Sequence, residues 1–104
     1  MDIGVDLTKI SRFANKDEHF IRRILGESEI KEYLSLADEK KITYLASHFA
    51  LKEALFKASQ DQHYLKYQFL HDENGKLYCL NHPEIKVSLS HDNDLAIAFI
   101  VKMD

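Results

Sequence analysis

One segment constrains the fold more than any other: a long stretch of helical periodicity in the middle of the chain. Between Glu39 and Ser59 apolar residues recur at helical spacing, and Asp38 is placed to cap the first turn. The same stretch carries an alanine at every fourth position, at Ala46, Ala50, Ala54 and Ala58. Such a row lies on one helix face, where small side chains let another backbone approach closely. The segment therefore predicts a long central helix with a second element packed tightly against it.

Shorter elements precede this helix. Residues 3–6 favour a short strand, and Thr8 is predicted to cap a short helix with a stripe of Leu7, Ile10 and Phe13. Two further helical stripes follow, the first ending at Gly26 and the second beginning at Ser28. The first part of the chain is therefore predicted to be one strand followed by helices.

The periodicity changes after the long helix. Residues 67–70 and 76–80 are β-prone and flank an Asn-Gly dipeptide, which is typical of a hairpin turn. Residues 85–90 alternate apolar and polar side chains, and residues 95–101 are apolar, so these two segments predict a second hairpin. One strand, then helices packed on antiparallel strands, indicates an α+β fold in a single domain spanning residues 1–104.

Composition and charge exclude several classes of protein. The 104 residues are 45% hydrophobic and 30% charged, which is typical of a globular domain, and no apolar run approaches the ~20 residues of a membrane span. The N-terminus lacks the basic and apolar regions of a secretory signal, so a cytoplasmic location is expected. A net charge of −3 gives no global basic field for nucleic acid. The histidines and the single cysteine show no zinc-ligand spacing, and three glycines do not form a phosphate loop.

Two carboxylates are candidate site residues. Asp6 follows the first strand, where an aspartate can bind a metal or simply form a turn. Glu53 lies between alanines on the long helix, so its carboxylate projects from an open face, although an isolated helical glutamate is usually solvated. Ser90 and His91 end a strand, where they suit phosphate oxygens or a hydrogen-bonded turn. For each of these residues considered alone, a role in a binding site and a purely structural role both stay open.

Five segments have a particular order and spacing. They are Ile3–Leu7 with its G-x-D core, Phe20–Leu25 followed by Glu29, Leu45–Ala58, Asp72–Lys76 and Val87–His91. Together they resemble the bacterial holo-acyl-carrier-protein synthase family, the short trimeric class of 4′-phosphopantetheinyl transferases. The helical segment is the most specific, since it is similar to the signature F-A-x-K-E-A-x-x-K-A. The resemblance spans the whole chain and implies the 4′-phosphopantetheinyl transferase-like fold.

The resemblance also implies a reaction and its catalytic residues. The family transfers 4′-phosphopantetheine from coenzyme A, the co-substrate, to a serine of apo acyl carrier protein, which releases 3′,5′-ADP and serves fatty acid biosynthesis. One Mg²⁺ is expected on Asp6 and Glu53, with Lys57 at the phosphates; these three residues are the expected catalytic groups. The acceptor of the serine proton stays open between a water on the metal and, through water, Glu53 or Asp6.

Other positions are expected to bind the coenzyme or the carrier. Ser90 and His91 fall near the coenzyme, as does His48, which stands where the family usually has arginine. The basic residues expected to face the acidic recognition helix of the carrier are Arg12, Arg22 and Arg23. The family has a Gly-containing loop after the long helix, whereas residues 59–63 contain no glycine. A homotrimer with active sites at the subunit interfaces is implied by the resemblance alone.

Two alternatives remain. One is a catalytically inactive module of the same fold that binds the carrier without transfer. The joint presence of Asp6, Glu53, Lys57 and His91 argues against it. The other is an unrelated α+β interaction domain in which every motif is structural. That alternative explains each feature separately but not the order and spacing of all of them.

Overall fold

The computed structural model describes residues 1–104 and confirms the predicted α+β fold. In chain order the elements are β1 (Asp2–Lys9), a 3-10 turn (Ile10–Phe13), α1 (Glu18–Ile24), α2 (Glu27–Leu34), α3 (Asp38–Ser59), a second 3-10 turn (Tyr64–Lys66), β2 (Phe69–His71), β3 (Leu77–Cys79), β4 (Ile85–Asp92) and β5 (Leu95–Lys102). The long central helix and both hairpins occur where the sequence predicts them. No helix is both long enough and apolar enough to cross a membrane.

The main sheet has three antiparallel strands in the order β1-β5-β4, and β2 pairs with β3 in a separate hairpin. Asp6 on β1 pairs with Ala98 on β5, and Ala98 pairs on its other side with Leu89 on β4. Residues directly opposite one another share a sheet face, and Ala98 is fully buried in the core that α3 completes. Asp6 therefore lies on the inner face of the sheet, the face that α3 covers.

The close approach predicted from the alanine row occurs between α3 and β1. The four alanines are at most 8% exposed, and β1 crosses them at Gly4. A Cβ atom at Gly4 would overlap the carbonyl oxygen of Ala54 and would lie 2.9 Å from the amide nitrogen of Ala58. Only a glycine fits there. The crossing places Asp6, two residues beyond Gly4, beside the last turns of α3.

The predicted helix after residue 6 is wrong. β1 continues to Lys9 and pairs with β5 along its whole length, so Thr8 is a strand residue and caps no helix. Leu7 is 60% exposed on the outer face of the sheet, and only Ile10 and Phe13 are buried in the short 3-10 turn that follows. The backbone of β1 is hydrogen-bonded to β5 along its whole length. These bonds outweigh the helical spacing of the apolar residues, because they satisfy the backbone polar groups of the strand.

Local details also differ at the start of α3. Asp38 is the first residue of the helix rather than its cap, and the capping residue Ala37 provides no side-chain bond. The two hairpin turns agree better with the prediction. Gly75 has φ 83° and Asn93 has φ 52°, the left-handed conformation that these residue types tolerate.

A buried ionic network joins α2, α3 and the segment after α3. Glu29 Oε1 lies 2.8 Å from Lys52 Nζ, and neither side chain is exposed. Lys52 also donates to the carbonyl oxygens of Tyr64 at 2.7 Å and Tyr67 at 2.6 Å. Both charges are therefore compensated inside the protein, where an unpaired charge would be strongly destabilising. The network fixes the main chain at Tyr64 relative to α3.

Candidate active site

The Asp6 carboxylate lies beside the C-terminal turns of α3 and is held from two sides. Its Oδ2 atom accepts a 2.7 Å hydrogen bond from the hydroxyl of Thr8, which shares the inner sheet face with it. Its Oδ1 atom lies 3.3 Å from Lys57 Nζ, and the same ammonium donates to the carbonyl oxygen of Val5 at 2.9 Å. Asp6 is 16% exposed and Lys57 is 54% exposed. The structure thus brings together two of the three predicted catalytic residues.

Glu53, the third, opens onto a cleft of about 1000 Å³ between α1, α3 and the segment that follows α3. It precedes Lys57 by one helical turn. The residues that line the cleft are Arg22, Arg23, Glu53, Phe56, Gln62, His63, Tyr64, Leu65 and Lys66. A single carboxylate therefore shares this cleft with three permanently cationic side chains, which would attract an anionic ligand.

The phenol of Tyr64 lies close to the carboxylates of both Glu53 and Asp6, and no sequence motif predicted a role for this residue. Burial and the nearby carboxylates of Glu53 and Asp6 raise the pKa of Tyr64 to about 12. The phenol therefore stays protonated at neutral pH and acts as a donor. Both carboxylates lie close enough to influence one hydroxyl. Eleven residues separate Tyr64 from Glu53, so only the folded chain reveals the contact.

Two of the three predicted carrier-binding arginines line the Glu53 cleft. Arg22 and Arg23 come from the last turn of α1. Arg22 also forms an exposed pair with Glu18 at 3.3 Å, which contributes little stability in water. Arg12 lies outside this lining, on the 3-10 turn, with its guanidinium 5.8 Å from the centre of the Phe13 ring.

Ser90 and His91 lie at the other edge of the sheet. His91 and Thr8 both pair with Ala96, on opposite sides of β5, so two strand spacings of about 10 Å in total separate them. Ser90 is exposed on the outer sheet face, because successive strand residues alternate between faces. His91 lines a separate cavity of about 380 Å³. Within one chain, neither residue reaches the cleft of Glu53.

His48 lies in the core, at the inner end of the cavity of about 380 Å³ that His91 also lines. Its side chain is 1% exposed, Nε2 lies 2.8 Å from the carbonyl oxygen of Phe69, and Nδ1 lies 3.0 Å from that of Tyr44. Burial lowers the pKa of His48, although the nearby Glu29 carboxylate opposes the shift. Both ring nitrogens thus face backbone carbonyls in the core. His48 is part of the buried network around Glu29, which the sequence did not reveal.

The glycine-free loop after α3 is ordered by Asp61. Gln60 has φ 62°, so a non-glycine residue adopts the left-handed conformation that ends the helix. The Asp61 carboxylate accepts from the amide of His63 at 2.9 Å and from the phenol of Tyr67 at 3.0 Å, and its Oδ1 lies 2.7 Å from the imidazole Nδ1 of His63. Hydrogen bonds from His63 lower the pKa of Asp61. The Asp61 carboxylate thus joins His63 and Tyr67 within the loop.

The chemistry of the donor set fits a hard cation such as Mg²⁺. No group of three or more His, Cys, Asp or Glu side chains converges anywhere in the chain. Mg²⁺ requires only one or two carboxylates when substrate phosphates and water complete its coordination. Asp6 and Glu53, with Lys57 beside them, meet that requirement.

Comparison with known proteins defines the class to which this fold and site belong. The chain matches the family described as ACPS, 4′-phosphopantetheinyl transferase superfamily, over residues 2–100, and it belongs to that superfamily. More narrowly, it is 38% identical over 102 residues to the holo-[acyl-carrier-protein] synthase of Mycoplasma mobile, covering 98% of this chain and 89% of that protein.

Solved structures agree with this classification. The crystal structure of holo-[acyl-carrier-protein] synthase from Neisseria meningitidis aligns with a TM-score of 0.87 and 26% identity, covering 99% of this chain and 98% of that one. The Bacillus anthracis holo-(acyl-carrier-protein) synthase, solved in complex with CoA (3′,5′-ADP), aligns with a TM-score of 0.84 and 27% identity. This alignment covers 95% of this chain and 92% of the Bacillus anthracis chain. The chain is therefore similar in length as well as in fold to these enzymes.

Proposed function

We propose that this chain transfers 4′-phosphopantetheine from coenzyme A to a serine of apo acyl carrier protein and releases 3′,5′-ADP. The observation that carries the proposal is the pairing of Asp6 with Lys57 where β1 crosses α3, with Glu53 one helical turn before Lys57, in a member of the superfamily. Relatives from several bacteria are named holo-[acyl-carrier-protein] synthase, and the similar Bacillus anthracis enzyme was solved with CoA (3′,5′-ADP). The proposed setting is fatty acid biosynthesis in the cytoplasm.

Each residue has a role set by its charge and exposure. Asp6 and Glu53 would hold one Mg²⁺, which when bound supplies charge neutralisation at the pyrophosphate of coenzyme A. Lys57 is half exposed and flexible enough to move its ammonium from Asp6 to a phosphate oxygen. The serine oxygen bonds to the β-phosphorus, and the bond from that phosphorus to the bridging oxygen breaks. Asp6 or Glu53, through water, would accept the serine proton.

The arginines of α1 provide the proposed carrier surface. Arg22 and Arg23 line the cleft that contains Glu53, so an acidic helix bound to them would bring its serine close to the proposed metal ligands. Arg12 would extend this basic surface from the neighbouring 3-10 turn. The proposed partner is therefore acyl carrier protein, bound through charge complementarity.

We also propose a homotrimer that completes the coenzyme site. The outer face of β1 and β5 exposes a contiguous apolar set that one chain leaves uncovered: Ile3, Val5, Leu7, Leu95, Ile97 and Phe99, each between 41% and 61% exposed. An apolar patch of this kind is typical of a protein interface. Packing of this face against other copies would allow Ser90 and His91 of one subunit to approach the cleft of the next. The family resemblance supports that arrangement.

The transfer reaction provides the direct test. Apo carrier protein is incubated with coenzyme A, Mg²⁺ and the chain, and its mass is followed by mass spectrometry. We expect a gain of one phosphopantetheine group with the wild type and with the control Glu73→Gln, which changes an exposed turn residue. Glu53→Gln should lower the rate at least 100-fold without changing the thermal midpoint, because it removes a ligand charge and keeps the shape.

The other outcomes separate the alternatives. Carrier binding without any mass gain would support the inactive module, and neither binding nor transfer would support an unrelated interaction domain. Normal activity of Glu53→Gln would show that this residue is not a metal ligand.

A further inference from the structure

Each of the two proposed metal-binding carboxylates lies near a hydroxyl group, Thr8 for Asp6 and Tyr64 for Glu53. On the strand side, the donor is Thr8, whose hydroxyl bonds Asp6 Oδ2 at 2.7 Å. Thr8 is only 2% exposed, so water does not compete freely for this bond. The bond occupies one carboxylate oxygen and leaves Oδ1 on the side of Lys57. The orientation of Asp6 is therefore set by the strand on which it lies.

On the helix side, the hydroxyl group is that of Tyr64, which lines the same cleft as Glu53. The nearby Glu53 carboxylate contributes to the raised pKa of this phenol. Its main chain is anchored independently, since its carbonyl oxygen accepts from Lys52 Nζ at 2.7 Å. Lys52 is the residue before Glu53 and is paired with the buried Glu29. The ionic network therefore ties Tyr64 to the helical turn that carries Glu53.

We propose that Thr8 and Tyr64 are positioning residues, whose hydroxyl groups hold Asp6 and Glu53 in the orientation that the cation requires. The inference rests on the proposed function, because it concerns the same metal site. A carboxylate held by a second hydrogen bond loses less freedom when it binds a metal. Outer-shell partners of this kind typically change metal affinity about 10- to 100-fold. Neither residue would touch the substrate.

The test compares variants that remove only the hydroxyl groups. Thr8→Val and Tyr64→Phe keep the shape of the side chain and lose the donor, and Thr8→Ser restores a donor at the first position. Tyr33→Phe is the matched control, since Tyr33 lies on α2 outside the lining of the Glu53 cleft. The probe is Mn²⁺ in the presence of coenzyme A, with free Mn²⁺ measured by electron paramagnetic resonance. Thermal midpoints without metal measure any loss of stability separately.

We expect Thr8→Val and Tyr64→Phe each to raise the Kd for Mn²⁺ about 10-fold, while Thr8→Ser and Tyr33→Phe bind like the wild type. In the transfer assay the same two variants should need correspondingly more Mg²⁺ for half-maximal rate.

Wild-type Mn²⁺ affinity in both hydroxyl-free variants, in a protein that still modifies the carrier, would overturn the inference and leave the proposed function intact. A wild type that neither binds Mn²⁺ nor modifies the carrier would overturn both. An effect in one variant alone keeps that residue and removes the other. If Thr8→Val does not fold, Thr8→Ala, which also removes the hydroxyl, takes its place in the comparison with Thr8→Ser.

Discussion

At the scale of single residues, neighbours in one motif have different roles because of the direction in which each side chain leaves the helix. Lys52 and Glu53 are adjacent in the sequence, and successive helical residues are rotated by about 100°. Lys52 is 1% exposed and bonded within the core, whereas Glu53 opens onto the cleft. Lys52 is thus structural in this chain, and Glu53 is available to a ligand.

Asp61 gives a prediction about pH at this scale. Hydrogen bonds from His63 lower its pKa in the folded state, so its contribution to stability is present above its ordinary pKa of 3.8. That contribution is lost as the pH falls through the lower folded value. Asp61→Asn should therefore lower the thermal midpoint by a few degrees at pH 7, and the difference from wild type should shrink as the pH approaches 2.

Thermal unfolding followed by circular dichroism across this pH range checks the expectation. The control is Asp2→Asn, which changes an exposed aspartate with no side-chain hydrogen bond. A difference that stays constant down to pH 2 would show that Asp61 does not act through its ionised form.

At the scale of elements, the site exists because one strand crosses one helix at very short range. Gly4 lies against the backbone of α3 between Ala54 and Ala58, and this contact sets the depth at which β1 lies on the helix. Asp6 lies two residues beyond Gly4, and Lys57 lies within the crossed turn of α3, so the crossing brings the two side chains together. The glycine of the N-terminal segment and the alanines of the helix are therefore parts of one packing contact.

Gly4→Ala is predicted to separate β1 from α3. Its Cβ would meet backbone atoms, which do not move aside as a flexible side chain does. Overpacking of this kind typically costs about 1–3 kcal/mol, and the strand displacement should also lower the transfer rate by disturbing Asp6. Urea unfolding measures the first effect and the transfer assay the second.

Gly75→Ala is the comparison variant, because Gly75 has open space around it and only its positive φ opposes the change. It should lose some stability and keep the transfer rate. Equal transfer rates for both variants would contradict the proposed link between the crossing and the site.

At the scale of the whole molecule, the chain is polar on most of its surface and apolar on one sheet face. That face consists of alternate residues of β1 and β5, whose other residues form the core. Both faces of a sheet are apolar when both are covered. The proposed homotrimer follows from this pattern, because contact between copies of the chain would cover the outer apolar face.

Phe99→Glu should convert the assembly into monomers, because it places a charge in the centre of the outer face. Phe99 is 42% exposed in the single chain, so the substitution should not disturb the core. Light scattering after size exclusion measures the mass. Leu34→Glu adds the same charge at an apolar residue that is 63% exposed on α2, and it should leave the mass unchanged. A wild-type protein that elutes as a monomer would refute the homotrimer.

Much of the architecture could be predicted because its signals are local. The long helix, the two hairpins and the buried alanine row each depend on residues within a few positions of one another. The candidate residues Asp6, Glu53 and Lys57 could be named from their segments, although not from any one residue. The helix predicted around Thr8 failed because strand pairing with β5, almost ninety residues away, decides that segment.

Periodicity and the order of short segments were enough to predict the class of fold and to name the candidate carboxylates. What surrounds those carboxylates depends on the folded chain. Thr8, Tyr64 and the inward position of His48 depend on contacts between distant parts of the chain. Burial and hydrogen-bond partners are properties of the packed molecule, and a sequence pattern contains no direct record of them.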